Sequence, residues 1–147
     1  MLTKKFPEAW IVYADGAVSP GRASGIGIVM FDPAASEKPL CFGNTLSIRT
    51  NQAAEISAAI IALAKIAAGS EVRIITDSMY VVGTMTLNWK RKFNHNLWAA
   101  LEEQVKRMKQ VAFEHVRGHQ GNRWNEEADK IAVARKGLKV DYELPVS

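Results

Sequence analysis

Four acidic residues in this chain, Asp15, Glu55, Asp77 and Asp129, stand without a cation at the positions that would normally neutralise them. Glu55 has Asn51 at i−4 and Ala58 and Ala59 at i+3 and i+4. Asp129 has Asn125, Ala132 and Val133 in the same places, whereas Glu126 meets Lys130 at i+4 and reads as solvated surface. Taken singly, each acid has an ordinary explanation. Asp77, between a strand and a helix, is a candidate N-cap; Glu55 suits the positive end of a helix dipole; Asp15 is a turn former before Gly16. Taken together, they are expected from the sequence to share a lack of cationic neighbours. Carboxylates gathered in one place repel one another, and a hard divalent cation with oxygen ligands is the usual remedy. His119, in the glycine-flanked loop "GHQGN", has no apolar neighbours to bury it and reads as a surface histidine or, beside such a cluster, a proton shuttle. His115 falls on a strand and reads as structural.

The elements that must position these groups follow from periodicity. Three strands come first, over 9–15, 25–32 and 39–48, separated by turn-forming segments. A helix then runs to Ala68, with Thr50 or Asn51 to cap it and Gly69 to stop it. "EVRIIT" (71–76) is a continuous apolar, β-branched run, as a strand covered on both faces requires. Helical patterns follow over 78–87 and 95–108, then a strand over 111–116 and a last helix capped by Asn125 and ending near Lys136. The order βββαβααβα predicts a mixed α/β sheet with helices on its faces. Asp15 and Asp77 each end a strand, and ligands of open α/β sheets gather outside such carboxyl ends.

Length and composition bound the class. A chain of 147 residues, 48% hydrophobic and 23% charged, is expected to form one globular domain. The net charge of +4 and pI near 9.3 lean toward polyanionic partners. A single cysteine, Cys41, allows no internal disulfide and is expected to be a small core residue in a protein of a reducing, cytoplasmic compartment. The longest apolar run, Ile56 to Ala68, is interrupted by Lys65 and too short to span a bilayer, so no membrane partner is expected.

The segments "YADGA" (13–17), "TNQAAE" (50–55), "TDSMYV" (76–81) and "VRGHQGNRWNEEAD" (116–129) resemble the type 1 ribonucleases H, in order and approximate spacing from about Ala9 to Ala134. The resemblance implies a ribonuclease H-like fold: a five-stranded mixed sheet, strands 1–3 antiparallel and 4–5 parallel to strand 1, flanked by helices. It implies a single domain over 1–147, with a core at about 9–136 and a C-terminal tail over 137–147. It implies hydrolysis of the RNA strand of RNA–DNA hybrids with two Mg2+ ions, Mn2+ being a substitute, to give 5′-phosphate and 3′-hydroxyl ends. Asp15, Glu55, Asp77 and Asp129 correspond to the family's metal-binding acids and His119 to its loop histidine. Gly16, Thr50, Asn51, Gln52 and Asn94 fall at or near hybrid-contacting positions, Thr50 at the DNA-phosphate pocket. A monomer is expected.

Two departures from the family pattern stand out. The basic, tryptophan-bearing protrusion of many bacterial members is reduced here to "LNWKRKFNHNLW", where Trp89, Lys90, Arg91 and Lys92 form a residual patch. Met79 occupies a place where a substrate-binding glutamine is common. Two rival readings use the same residues: a hybrid-binding module with weak catalysis, and another nuclease of this fold, resembling resolvases or integrases.

Overall fold

The computed structural model describes residues 9–35, 38–117 and 121–144. Strands β1 (Ala9–Ala17), β2 (Ser24–Phe31) and β3 (Leu40–Leu46) precede helix α1 (Asn51–Ala64). Then come β4 (Glu71–Thr76), α2 (Met79–Thr86), α3 (His95–Arg107), β5 (Gln110–His115) and α4 (Arg123–Arg135). The sheet order is β3-β2-β1-β4-β5. β1 pairs antiparallel with β2 and β2 with β3, while β1–β4 and β4–β5 are parallel, as the resemblance to the ribonucleases H implies.

Alternation along β2 decides how the two faces are covered. Ile26, Ile28 and Met30 point to one side and are fully buried with Val12, Ile56, Ile61 and Leu63 of the core under α1. Gly25 and Gly27 point to the other side. A Cβ on Gly27 would collide with the Ala128 carbonyl and one on Gly25 with the Ala132 carbonyl, while Gly43 of β3 leaves room for Ile131. A glycine floor therefore lets the backbone of α4 lie directly on the sheet, and this sets the height of Asp129.

Local structure differs from the sequence expectation at three places. Helix α1 is capped by Thr50, whose Oγ1 accepts the Ala53 N–H at 3.2 Å, but it ends at Ala64 rather than Ala68. Lys65 and Ile66 donate to carbonyls three residues back, which tightens the last turn and drives Ile66 into the core. Arg107 of α3 donates to the Leu63 and Ile66 carbonyls, both at 3.0 Å, so the helix end is satisfied from outside and Gly69 (φ +86°) serves the turn beyond. The cap of α4 is Asn122, whose Oδ1 accepts the Asn125 N–H at 2.9 Å; Asn125, expected as the cap, lies inside the first turn and is buried. Cys41, expected in the core, is exposed, because β3 is an edge strand that becomes covered only toward Thr45 and Leu46.

That edge is closed by the chain's own later residues. Asp141 donates its N–H to the Thr45 carbonyl at 3.0 Å and accepts the Thr45 N–H on Oδ1 at 2.8 Å, and Tyr142 and Leu144 pack against the core. Gly27→Ala should lower the unfolding free energy by about 2–3 kcal/mol, the cost of overpacking a site with no room. Urea denaturation is the check; parental stability would mean that α4 does not rest on this strand.

Candidate active site

Three strand and helix ends bring the acids to one rim of the sheet. Asp15 lies near the end of β1, opposite Gly27 in register and therefore on the α4 side, and is 3% exposed. Its Oδ1 accepts the N–H of Gly16 at 2.9 Å. Gly16 itself faces α1, where a Cβ would come within 2.7 Å of the Ala54 Cβ, so α1 approaches close enough to deliver Glu55. Glu55 lies in the second turn of α1, beyond the orphan N–H groups of the first, so the dipole explanation loses its geometry. Asp77 follows β4 directly. The cap of α2 is its neighbour Ser78, whose Oγ accepts the Val81 N–H at 3.2 Å, while Thr76 Oγ1 accepts the Ser78 N–H at 3.1 Å. Capping is thus accomplished without Asp77.

Carboxylate oxygens of Asp15, Glu55 and Asp77 all lie within 4.8 Å of one another. Asp129 hydrogen-bonds Asp15 from α4. Burial, followed by the charge of Asp77 and the hydrogen bond with Asp129, pushes the Asp15 carboxyl up to about 8. Burial, followed by the charges of Asp15 and Asp77, pushes Glu55 up to about 9. Glu55 Oε1 is buried with no hydrogen-bond partner. An oxygen-rich, buried cluster with an orphaned acceptor is chemically suited to a hard divalent cation, which would replace the missing positive charge.

The other sequence-predicted residues divide by position. Thr50, Asn51 and Gln52 are exposed at the start of α1, one turn from Glu55. Asn94 precedes α3 in the left-handed conformation (φ 61°), and its Nδ2 donates to Tyr80 Oη at 3.2 Å, tying that loop to the first turn of α2. Trp89 packs on Gly83, and Lys90 and Lys92 are exposed. Arg91 is ion-paired with Glu102 at 2.7 Å and stands over the Trp98 ring. Met79 opens α2 and is 37% exposed. His119 lies outside the described residues. Sequence reasoning missed Ser78 as the cap and Tyr80 as the anchor of Asn94. For the first, the sequence holds a signal, a serine three residues before Val81, but Asp77 beside it offers an equally good cap; the second depends on a contact across the α2–α3 loop.

A five-stranded mixed sheet of this order, with an acid cluster outside the ends of β1 and β4, defines the ribonuclease H-like fold class. Two solved structures share it: the N-terminal ribonuclease H domain of a Mycobacterium tuberculosis protein and ribonuclease H1 of Halobacterium salinarum. They have TM-scores of 0.73 and 0.71, each at 23% identity, over 87% and 85% of this chain and 93% and 95% of theirs. The ribonuclease H family model matches residues 7–137. Ribonuclease HI of Pseudomonas aeruginosa is 38% identical, over 85% of this chain and 91% of its own, and that of Synechocystis 34% identical, over 87% and 88%. The chain belongs to the ribonuclease H family.

The raised carboxyl pKa values fix the sign of a pH effect. The folded state without a cation holds protons on Asp15 and Glu55 that the unfolded state releases near pH 4, so unfolding stability falls as pH rises from about 4 to 9. Thermal melts in a chelator should show that decline, and Mg2+ should reverse it with an effect that grows with pH. Asp15→Asn should be more stable than the parent in chelator at pH 8.5, by roughly 1–3 kcal/mol. A melting temperature independent of pH and Mg2+ would contradict the cluster's assignment.

Proposed function

We propose that this protein is an endonuclease that hydrolyses the RNA strand of RNA–DNA hybrids, leaving 5′-phosphate and 3′-hydroxyl ends. The observation that carries this reading is the set of carboxylate oxygens of Asp15, Glu55 and Asp77 within 4.8 Å of one another, with Glu55 Oε1 buried and unpartnered. Two Mg2+ ions, with Mn2+ as a substitute, supply an activated water and neutralise the leaving oxygen when bound there. Asp15, held by the Gly16 N–H, would hold the ions together with Glu55 and Asp77, and Asp129 would complete the set. His119 moves a proton during attack or product release.

Recognition falls to polar groups beside the acids. A hybrid differs from a DNA duplex by the 2′-hydroxyls of one strand, which side chains reach across a shallow groove without reading bases. Asn51 and Gln52, exposed one turn before Glu55, take that role, with Gly16 and Asn94 near the same strand and Thr50 toward a DNA phosphate. Trp89 with Lys90 and Lys92, backed by Arg91, contacts the DNA backbone. This short patch stands in for a full basic protrusion, so affinity should be weaker and, with fewer phosphates neutralised, fall less steeply with salt than in members that have one. Met79, an apolar group at the first position of α2, makes no hydrogen bond to the substrate from there. No helix among the described residues is long and apolar enough to cross a membrane. We place the protein in the cytoplasm as a single-domain monomer, in keeping with a lone, exposed thiol.

A pure hybrid-binding module is disfavoured, because clustered carboxylates beside a polyanion weaken binding unless a cation joins them. The resolvase- or integrase-like reading predicts attack on DNA duplexes. Incubation of labelled RNA–DNA hybrid, RNA duplex and DNA duplex with Mg2+, Mn2+ or Ca2+ separates these: selective cleavage of the hybrid's RNA strand is expected, and its absence would overturn the assignment. Asp77→Asn should abolish turnover without destabilising the fold, because Ser78 already supplies the cap and loss of the Asp77 charge relieves repulsion on Asp15 and Glu55. Retained activity would return Asp77 to a local structural role.

A further inference from the structure

The segment joining α2 to α3 is short but built. Asn88 (φ 58°) and Asn94 (φ 61°) both adopt the left-handed conformation, which asparagine takes up more readily than other non-glycine residues. Contacts on either side hold the loop. Leu87 and Trp89 donate their N–H groups to the Gly83 carbonyl at 2.8 and 3.3 Å, and the Trp89 indole lies where any side chain at position 83 would collide with it. Arg91 is braced against Glu102 and the Trp98 ring, a ring nitrogen of His95 lies 3.2 Å from the Lys92 carbonyl, and Asn94 is tied to Tyr80.

What this bracing displays is unusual for a stable surface. Phe93 is 69% exposed, more than any other large hydrophobic side chain among the described residues that stand out as exposed, and Trp89 is 44% exposed. Between them Lys90 and Lys92 point into solvent and enter no salt bridge among the described residues. An exposed aromatic ring on a braced loop, flanked by free ammonium groups, fits a nucleotide: the ring takes a base face, the lysines its phosphates. Bases within a duplex have both faces covered by their neighbours, so an exposed ring can take only a base outside the stack. Tyr80, which anchors Asn94, is three residues beyond Asp77, so the Asn94 end of the loop is tied to the helix that begins beside the acid cluster.

We propose that loop 88–94 is a binding site for an unpaired nucleotide adjoining the hybrid, with the Phe93 ring stacked on its base and Lys90 and Lys92 on its phosphates. The site rests on the hybrid-hydrolase reading and adds to it a preference for hybrids that end in a single strand. Fluorescence anisotropy tests it, with Ca2+ in place of Mg2+ to slow turnover. The ligands are a blunt hybrid and the same hybrid carrying a short single-stranded DNA or RNA extension at either end. At least one extension should tighten binding about fivefold to tenfold. Phe93→Ala should remove that gain while leaving blunt-hybrid affinity within about twofold, and Phe93→Trp should keep it. Equal affinity for blunt and extended hybrids, or a gain that survives Phe93→Ala, would overturn the proposal. Cleavage of the blunt hybrid by the parent protein reports on the hydrolase reading alone, so the two failures are distinguishable.

Discussion

Buried like charges cannot be held together by their own interactions, and everything around the acid cluster answers that constraint. Asp15, Glu55 and Asp77 come from β1, α1 and the end of β4, three elements whose packing is decided elsewhere. The parallel β1–β4 pairing fixes two of them relative to each other, and the apolar faces of α1 fix the third. The energy that overcomes repulsion is thus the burial of residues such as Ile56, Ile61 and Ile74, which have no part in the chemistry. Burial and mutual repulsion push the Asp15 and Glu55 carboxyls above their ordinary range, so a cation entering the cluster would displace protons.

Glycines make the tolerances small enough. On the α4 side, Gly25, Gly27 and Gly43 bring helix backbone onto sheet backbone; on the α1 side, Gly16 does the same beside Ala54. The two helices carrying Asp129 and Glu55 therefore approach β1 from opposite faces at distances set by main chain rather than by side-chain rotamers. A functional group built on such a contact moves little, which is what a site requiring carboxylates in fixed mutual positions needs.

The fold and the acids were legible because their signals are local or repeated: alternation in β1 and β2, the apolar run of β4, and acids lacking a cation at helical spacing. What was not legible turned on competition between neighbours or on distant contacts. In "TDS" both Asp77 and Ser78 are good caps, and only the structure shows that Ser78 serves, leaving Asp77 to the cluster. In "NRWN" two asparagines three residues apart compete, and Asn122 wins because Trp124 then packs edge-on against Phe31. The end of α1 depends on Arg107, more than forty residues away. Cys41 sits in an apolar run, but the run belongs to an edge strand, a fact of sheet order that no local pattern contains.

The pairing of Thr45 with Asp141 couples the two halves of the chain in time as well as in space. β3 leaves the ribosome before β4, β5 and α4, and the residues that cover its outer edge are synthesised nearly a hundred positions after it. The hairpin of β2 and β3 must therefore persist with an open edge while β4, β5 and α4 are still being made. Leu40, 55% exposed near the start of β3, lies on the part of that edge that Asp141 never reaches. The interval between making the edge and closing it is when this chain is most exposed to pairing with another copy, and its length is set by the rate of synthesis rather than by the stability of the finished fold.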